Sequence, residues 1–364
     1  MTPEGQTAKL AGGGRAGNVA TTIHWNVTVA FILKDLVPSW IARGFGFYVG
    51  EACLLILVWA DDFTLVASSV SELHVMVTEL AHAMSLHGVQ LKESKCKWLA
   101  NANALENTTD GVADMLTTGF GHEESLVILG VLLTQDADAQ ASADFAISRA
   151  QRHWFQRSKQ LCRRRVPISK RILWYYATVG ATALFGQEAL PLTQKTLRAF
   201  QSFDRRCLHA ILGIKKDCNM GWTAFRRRQN TKLRAIFLKM GIGELSVRLL
   251  AKQHAWAGHV SRLDVAHIAG AWSRVGTAQD WLFTQAALGR LDSQNSQKWR
   301  HPRRGRLATS WETWLVRAIG DDWRHLALDR AKWRESRELF LKSALTLIFG
   351  EGHRNFGMHI PAPP

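Results

Sequence analysis

Apolar positions along the chain change period several times, and each change marks an expected element. Val27, Ala30, Phe31, Lys34 and Trp40 recur at roughly helical spacing and predict a buried helix over Val27–Ile41. Phe45–Val49, after Gly44, reads as a short strand. Leu54–Ala67 then holds two β-rich apolar runs on either side of Asp61-Asp62, which predicts a β-hairpin with the aspartates at or near its tip. The next segment opens a helix: Ser69 or Ser71 can cap it, Glu72 favours its first turn, and Leu73, Met76, Val77, Leu80 and Met84 form one apolar stripe until Gly88. Val89–Leu91 and Lys97–Leu99 read as extended pieces around a basic turn, 101–124 as a polar loop, and Ser125–Thr134 as a second apolar hairpin. From Ala139 the period is helical, predicting helices over Phe145–Arg165, Ser169–Leu184, Gln194–Leu212, Thr231–Met240, Leu245–Leu263, Trp311–Ile319 and Asp322–Leu345. The expected fold class is α+β, an antiparallel sheet with packed helices followed by a mainly α-helical part.

Charge divides the 364 residues unevenly. Residues 1–140 carry 7 Lys/Arg against 15 Asp/Glu, net −8, whereas 141–364 carry 39 against 15, net +24. Eleven of the 15 tryptophans also lie in the second part. An acidic part followed by a basic, Trp-rich part points to carboxylates that hold metal in one half and cations that meet phosphate in the other. The five cysteines form no C-x2-C pair, which gives no support to a zinc knuckle or a disulfide framework. The longest wholly apolar run, Ala52–Ala60, is too short to span a bilayer, and no signal peptide is visible at Met1–Lys9. The expected setting is intracellular, nuclear or cytoplasmic, with no membrane partner.

Asp61 and Asp62 are the residues with the clearest chemistry. Two neighbouring carboxylates repel, and each raises the other's pKa unless a cation sits between them. Magnesium, with manganese as a substitute, removes that cost by taking one or two carboxylates together with waters and phosphate oxygens. The same two residues also suit a simple polar turn, so their sequence context has to decide.

That context resembles a known family. Trp59-Ala60-Asp61-Asp62 is similar to the aromatic-Ala-Asp-Asp box of reverse transcriptases, especially those of non-LTR (LINE-like) retrotransposons. Leu65, Ala67-Ser68-Ser69, Glu72-Leu73, Met76 and Glu79-Leu80 follow the continuing pattern. Gly88-Val89-Gln90-Leu91 with Lys95-Cys96-Lys97 resembles the next palm motif, and Leu129-Gly130-Val131 the turn that leads towards the primer grip. Downstream, Arg149-Ala150, Lys170-Arg171, Tyr175, Arg205-Arg206 and Ile211–Ile214 look like a thumb. Trp256–Arg262 and Arg303–Trp311 resemble basic motifs that follow it. Composition gives a flexible segment at 1–25 and a disordered Gly/Pro-rich tail at 349–364, and the resemblance implies a partial palm at 26–138, a thumb-like region at 139–230 and a basic Trp-rich region at 231–348. It also implies an RNA-directed DNA polymerase (a nucleotidyltransferase) that binds an RNA template and a DNA primer or target DNA, with Asp61 and Asp62 as catalytic metal ligands.

This chain departs from that pattern at two points. The family's palm has a further aspartate on an earlier strand, together with fingers that grip template and nucleotide. Here only sixty residues precede Asp61, and the other aspartate among them, Asp35, falls in an expected helix. Trp59 also stands where Tyr or Phe is usual. Loss of one preorganised electrostatic group costs on the order of 3–4 kcal/mol, or ~10²–10³ in rate. The expectation is therefore an incomplete enzyme with weak or no polymerase activity.

The basic half offers phosphate ligands of its own. Lys95 and Lys97 flank the short turn, and Arg163-Arg164-Arg165 and Arg226-Arg227-Arg228 are the densest arginine runs. On a helix three consecutive residues splay over about 200°, so a run can equally be a solvated face. In the Pro302–Arg306 loop, Arg303, Arg304 and Arg306 can bind in forks while Gly305 lets the backbone approach. Of Trp154, Trp174, Trp256, Trp299, Trp311, Trp314, Trp323 and Trp333, most are expected in the core, and Trp299 and Trp311 beside this loop are the better candidates for base stacking. Two further readings stay open: a non-catalytic nucleic-acid-binding protein that uses the basic helical half, and an unrelated basic helical protein.

Overall fold

A computed structural model describes residues 19–49, 52–101, 104–105, 112–115, 119–136, 138–262 and 313–349. The fold is mostly helical with small two-stranded antiparallel ladders. The described residues form two compact units, those of 1–96 with 104–121 and those of 97–103 with 122–364. No helix among the described residues is long and apolar enough to cross a membrane.

The first unit contains α1 (Val19–Ala42), β1 (Phe47–Val49), β2 (Ala52–Leu54), β3 (Ile56–Trp59), β4 (Asp62–Leu65) and α2 (Val70–Leu86). β1 pairs with β2 and β3 with β4, both antiparallel. Ile32 and Trp40 of α1, Leu55, and Met76, Leu80 and Met84 of α2 form its core, with Ile56, Phe63 and Leu65 packed against it. Three of the five expected stripe residues of α2 are thus fully inside. Ser69 caps α2, its side chain accepting the Glu72 N–H at 3.1 Å.

α1 corrects the expectation in two respects. It begins at Val19, so the segment expected to be flexible up to residue 25 is helical from there. It is also less buried than expected, with Val27 and Phe31 exposed.

Glu72 does more than favour a helix terminus. Its buried carboxylate accepts the Gly46 N–H at 2.5 Å, the Ser68 N–H at 3.3 Å and the Ser68 hydroxyl. Gly46 leads into β1 and Ser68 follows β4, so one side chain ties both ends of the strand segment to α2. Gly46 has φ +94°, and a Cβ there would meet Cys53 Sγ at 2.8 Å. Only glycine fits that turn.

The second unit opens with β5 (Ser125–Ile128) and β6 (Val131–Thr134), a hairpin whose two loop residues, Leu129 and Gly130, both have positive φ. Its helices are α3 (Ala139–Leu161), α4 (Ile168–Tyr175), α5 (Ala181–Leu184), α6 (Gln194–Leu212), α7 (Trp222–Met240), α8 (Leu245–Ser261), α9 (Thr313–Ile319), α10 (Trp323–Leu328) and α11 (Arg330–Phe349). A π-turn over Tyr176–Gly180 joins α4 to α5. One core runs through all of them, from Ala143 through Phe200, Phe237 and Leu250 to Ile348. The expected boundary between residues 230 and 231 therefore falls inside α7, and the regions on either side share a core.

Three further corrections concern helix ends. α3 stops at Leu161, which leaves Arg163, Arg164 and Arg165 in a turn instead of on a helix. α7 starts at Trp222, nine residues before the expected Thr231. The single helix expected over Asp322–Leu345 is two, because Asp329 interrupts it and its Oδ1 accepts the N–H groups of Ala331 and Lys332 at 2.9 and 3.2 Å.

Candidate metal and nucleic-acid site

Asp61 and Asp62 lie at the tip of the hairpin that the two flanking apolar runs predict. Trp59 pairs with Asp62, so Ala60 and Asp61 form a two-residue loop and Asp62 opens β4. Ala60 carries the positive φ (55°) that turns the chain. Cross-strand partners share a face: Ile56, Val58, Phe63 and Leu65 lie on one, and Leu57, Trp59, Asp62 and Thr64 on the other. The first face holds the residues that pack on the core. The second is open, with Trp59 68% exposed and Leu57 48% exposed beside Asp62.

Trp25 fixes the tip. Its indole N–H donates to the Ala60 carbonyl at 2.6 Å, and its ring meets Phe63 edge-on at 6.4 Å. Trp25, in the segment expected to be flexible, is part of α1. Its position on the helical face two turns before Ile32 is the signal that could have found it. Trp40 of α1 and Arg43 in the turn after it both donate to Glu79 of α2, at 2.7 Å from the Trp40 indole and 2.9 Å from Arg43 Nη1, and so tie α1 to α2. This pairing holds the Glu79 carboxyl below its usual pKa, chiefly through the Arg43 hydrogen bonds.

Both aspartates are exposed, and neither side chain has a hydrogen bond or ion pair to another described residue. Their oxygens are open to a hard cation, which fits the one or two carboxylates that magnesium takes from a protein. No group of three His, Cys, Asp or Glu side chains gathers for a metal among the described residues. Asp35 stays on α1, highly exposed, with its nearest cation Lys34 at 4.0 Å.

The basic candidates are dispersed along the chain. Lys95 is exposed at the end of a short 3₁₀ turn in the first unit. Lys97, in the second unit, forms an ion pair with Glu123 at 2.6 Å, so its charge is already matched. Arg163, Arg164 and Arg165 are exposed in the turn after α3, and Arg164 Nη2 donates to the Gly213 carbonyl at 2.7 Å. Arg303, Arg304, Arg306, Trp299 and Trp311 lie outside the described residues. Of the tryptophans expected in the core, Trp314, Trp323 and Trp333 are buried there, Trp154 and Trp256 are half-buried, and Trp174 is exposed.

Arg171, grouped with Lys170 by the resemblance to a thumb, has a role that its local sequence does not show. Its buried guanidinium donates to the carbonyls of Ile211 at 2.6 Å, Val166 at 2.9 Å and Leu161 at 3.4 Å. It therefore satisfies carbonyls at the C-terminal ends of α3 and α6 and shapes the turn that carries Arg163–Arg165. No protein-family model, no curated protein and no solved structure matches the chain.

Proposed function

We propose that the chain is a reverse transcriptase-like protein of the non-LTR retrotransposon kind, with Asp61 and Asp62 as its divalent-metal ligands and with weak or absent RNA-directed DNA polymerase activity. The observation that carries this reading is the Trp59–Asp62 hairpin. Two like charges stand side by side on a tip that Trp25 pins to α1, facing solvent and without a protein partner among the described residues. Such a pair is open to a divalent cation, which takes one or two carboxylates from a protein. Asp61 and Asp62 would hold magnesium or manganese, which when bound supplies charge neutralisation for polyphosphate chemistry. The rigid hairpin and the two helices behind it fix where the carboxylates stand. A couple without a third carboxylate gives only part of the clamp that in-line phosphoryl transfer needs, and the expected activity is low for that reason.

Primer extension on an RNA template tests this. The expected result is trace or no product, unchanged in Asp61→Ala. Robust magnesium-dependent extension, abolished by Asp61→Ala, would overturn the low-activity part of the proposal.

A second reading, a non-catalytic nucleic-acid-binding protein, is favoured by the exposed arginines of the helical unit, Arg163–Arg165 and Arg226–Arg228. Contact with six or more phosphates predicts a loss of ~10³-fold or more in affinity between 50 and 200 mM salt. A flat salt response contradicts it.

A further inference from the structure

We infer that one end of the helical unit is a docking surface for single-stranded nucleic acid, with Trp222 as a base-stacking platform and the surrounding cations as phosphate ligands. The inference rests on the nucleic-acid reading above and gives it a location and a ligand class. The Arg163–Arg165 turn meets there the end of α6, the connection after it and the start of α7. Arg164 Nη2 donates to the Gly213 carbonyl at 2.7 Å, which ties the Arg163–Arg165 turn to the end of α6. Arg226 Nη1 donates to His209 Nδ1 at 2.9 Å and to Gln229 Oε1 at 3.3 Å, which ties the start of α7 to α6. Lys216, in the connection between them, lies over the Trp222 ring at 5.3 Å.

Trp222 is the first residue of α7 and is 66% exposed. Its ring is braced edge-on by the buried Phe225 at 5.9 Å, so it is oriented yet still presents a face to solvent. Arg226 follows one turn later on the same side of the helix. Arg163, Arg165, Lys215, Arg227 and Arg228, in the same segments, are also exposed.

Charge selects the partner. Residues 163–165 and 213–228 together carry eight basic residues and one acidic residue, Asp217. Asp217 is turned into its own loop, where Oδ1 accepts the Asn219 N–H at 3.3 Å and the Cys218 thiol at 3.4 Å. His209 between α6 and α7 accepts from Arg226 at Nδ1 and meets Asn230 at 2.9 Å through Nε2, and burial holds its pKa below the usual value. It stays neutral and positions Arg226 without adding charge. A dense cation field around one open indole suits a strand whose bases are free to stack. A duplex keeps its bases stacked on each other and away from an exposed indole, and a purely acidic peptide such as polyglutamate has no ring to stack on it.

The test is fluorescence anisotropy with the full chain and a labelled oligouridylate of about twelve nucleotides, within the usual site size for such surfaces. Trp222→Ala should weaken binding about tenfold, Trp222→Phe should stay within about threefold of wild type, and Lys215→Gln with Lys216→Gln should lower the salt dependence. The exposure of Trp222 allows Trp222→Ala to fold, which its circular dichroism melt checks. A labelled duplex of the same length should bind wild type and Trp222→Ala alike. Equal affinity of wild type and Trp222→Ala for the single strand overturns the docking surface while leaving the nucleic-acid reading intact. Failure of wild type to bind either probe overturns both. Polyglutamate competing as well as unlabelled oligouridylate would show that charge alone is read, and would also overturn the proposal.

Discussion

The imidazole of His254 lies flat against the indole of Trp333, with ring centroids 4.0 Å apart and planes 5° from parallel. Trp333 Nε1 also donates to the His254 carbonyl at 3.0 Å, and His254 Nε2 meets Ser336 Oγ at 3.0 Å. The contact joins α8 to α11 in the interior. It depends on Gly258, one turn further along α8, where a Cβ would lie 2.2 Å from Trp333 Nε1. Gly258→Ala must therefore displace a buried ring. It should destabilise the protein by about 1–3 kcal/mol, read as a lower urea midpoint.

Two buried groups should give opposite pH dependences. Asp204 on α6 accepts the N–H of Leu245, the first residue of α8, at 2.8 Å and the Tyr176 hydroxyl at 3.1 Å. Burial, reinforced by the nearby Glu244 carboxylate, pushes its pKa from 3.8 up to about 7. The folded chain then keeps a proton that the unfolded chain has lost, so Asp204's contribution falls as pH rises through about 4 to 7. Burial, with Arg337 adding to it, pushes the His254 pKa from 6.5 down to about 3. His254 thus contributes stability above about pH 6.5 that is lost as pH falls towards about 3. Relative to wild type, Asp204→Asn should lose stability on acidification and His254→Gln should gain it, each by roughly a few kcal/mol across its window. Urea titrations from pH 4 to 8 check the two signs.

Arg171 closes two helix ends with one side chain, so Arg171→Met should leave the carbonyls of Ile211, Val166 and Leu161 without their donor. The expected cost is about 2–4 kcal/mol. Lysine cannot span three acceptors, and Arg171→Lys should recover only part of it. Chemical denaturation of the three proteins decides.

The β5–β6 turn should tolerate improvement. Leu129 has φ +48° and is exposed, whereas Gly130 at φ +83° is the glycine that such a turn needs. Leu129→Asn should raise stability by about 0.5–1 kcal/mol. Gly130→Ala should lower it, because a Cβ there would meet Arg149 Nη1 at 2.8 Å. Thermal melts of both variants measure the difference.

Much of the fold was readable where apolar period and end signals agree. α6 has the expected bounds, Gln194–Leu212, because its apolar stripe is continuous and Thr193 and Gly213 mark its ends. Both hairpins follow from paired β-rich apolar runs around a short break. The first turns of α7 were not legible: Trp222 and Arg226–Arg228 face solvent, Phe225 and Gln229 alone are buried there, and the Gly221 cap has no side chain to announce it. The interruption at Asp329 was legible as a capping residue but was masked by a helical pattern on both sides. At the site, the two aspartates could be read from spacing. The Trp25 anchor, the Glu72 brace and the Arg164–Gly213 tie depend on residues far apart in the chain, and no local pattern carries them.

The assignment of Asp61 and Asp62 as metal ligands is tested most directly by a magnesium titration of primer–template binding, with wild type and Asp62→Asn compared at constant ionic strength. The account predicts that magnesium strengthens binding by wild type and that this dependence is lost in Asp62→Asn, with unchanged thermal stability because the residue is exposed at a hairpin tip. The same magnesium dependence in both proteins would contradict it.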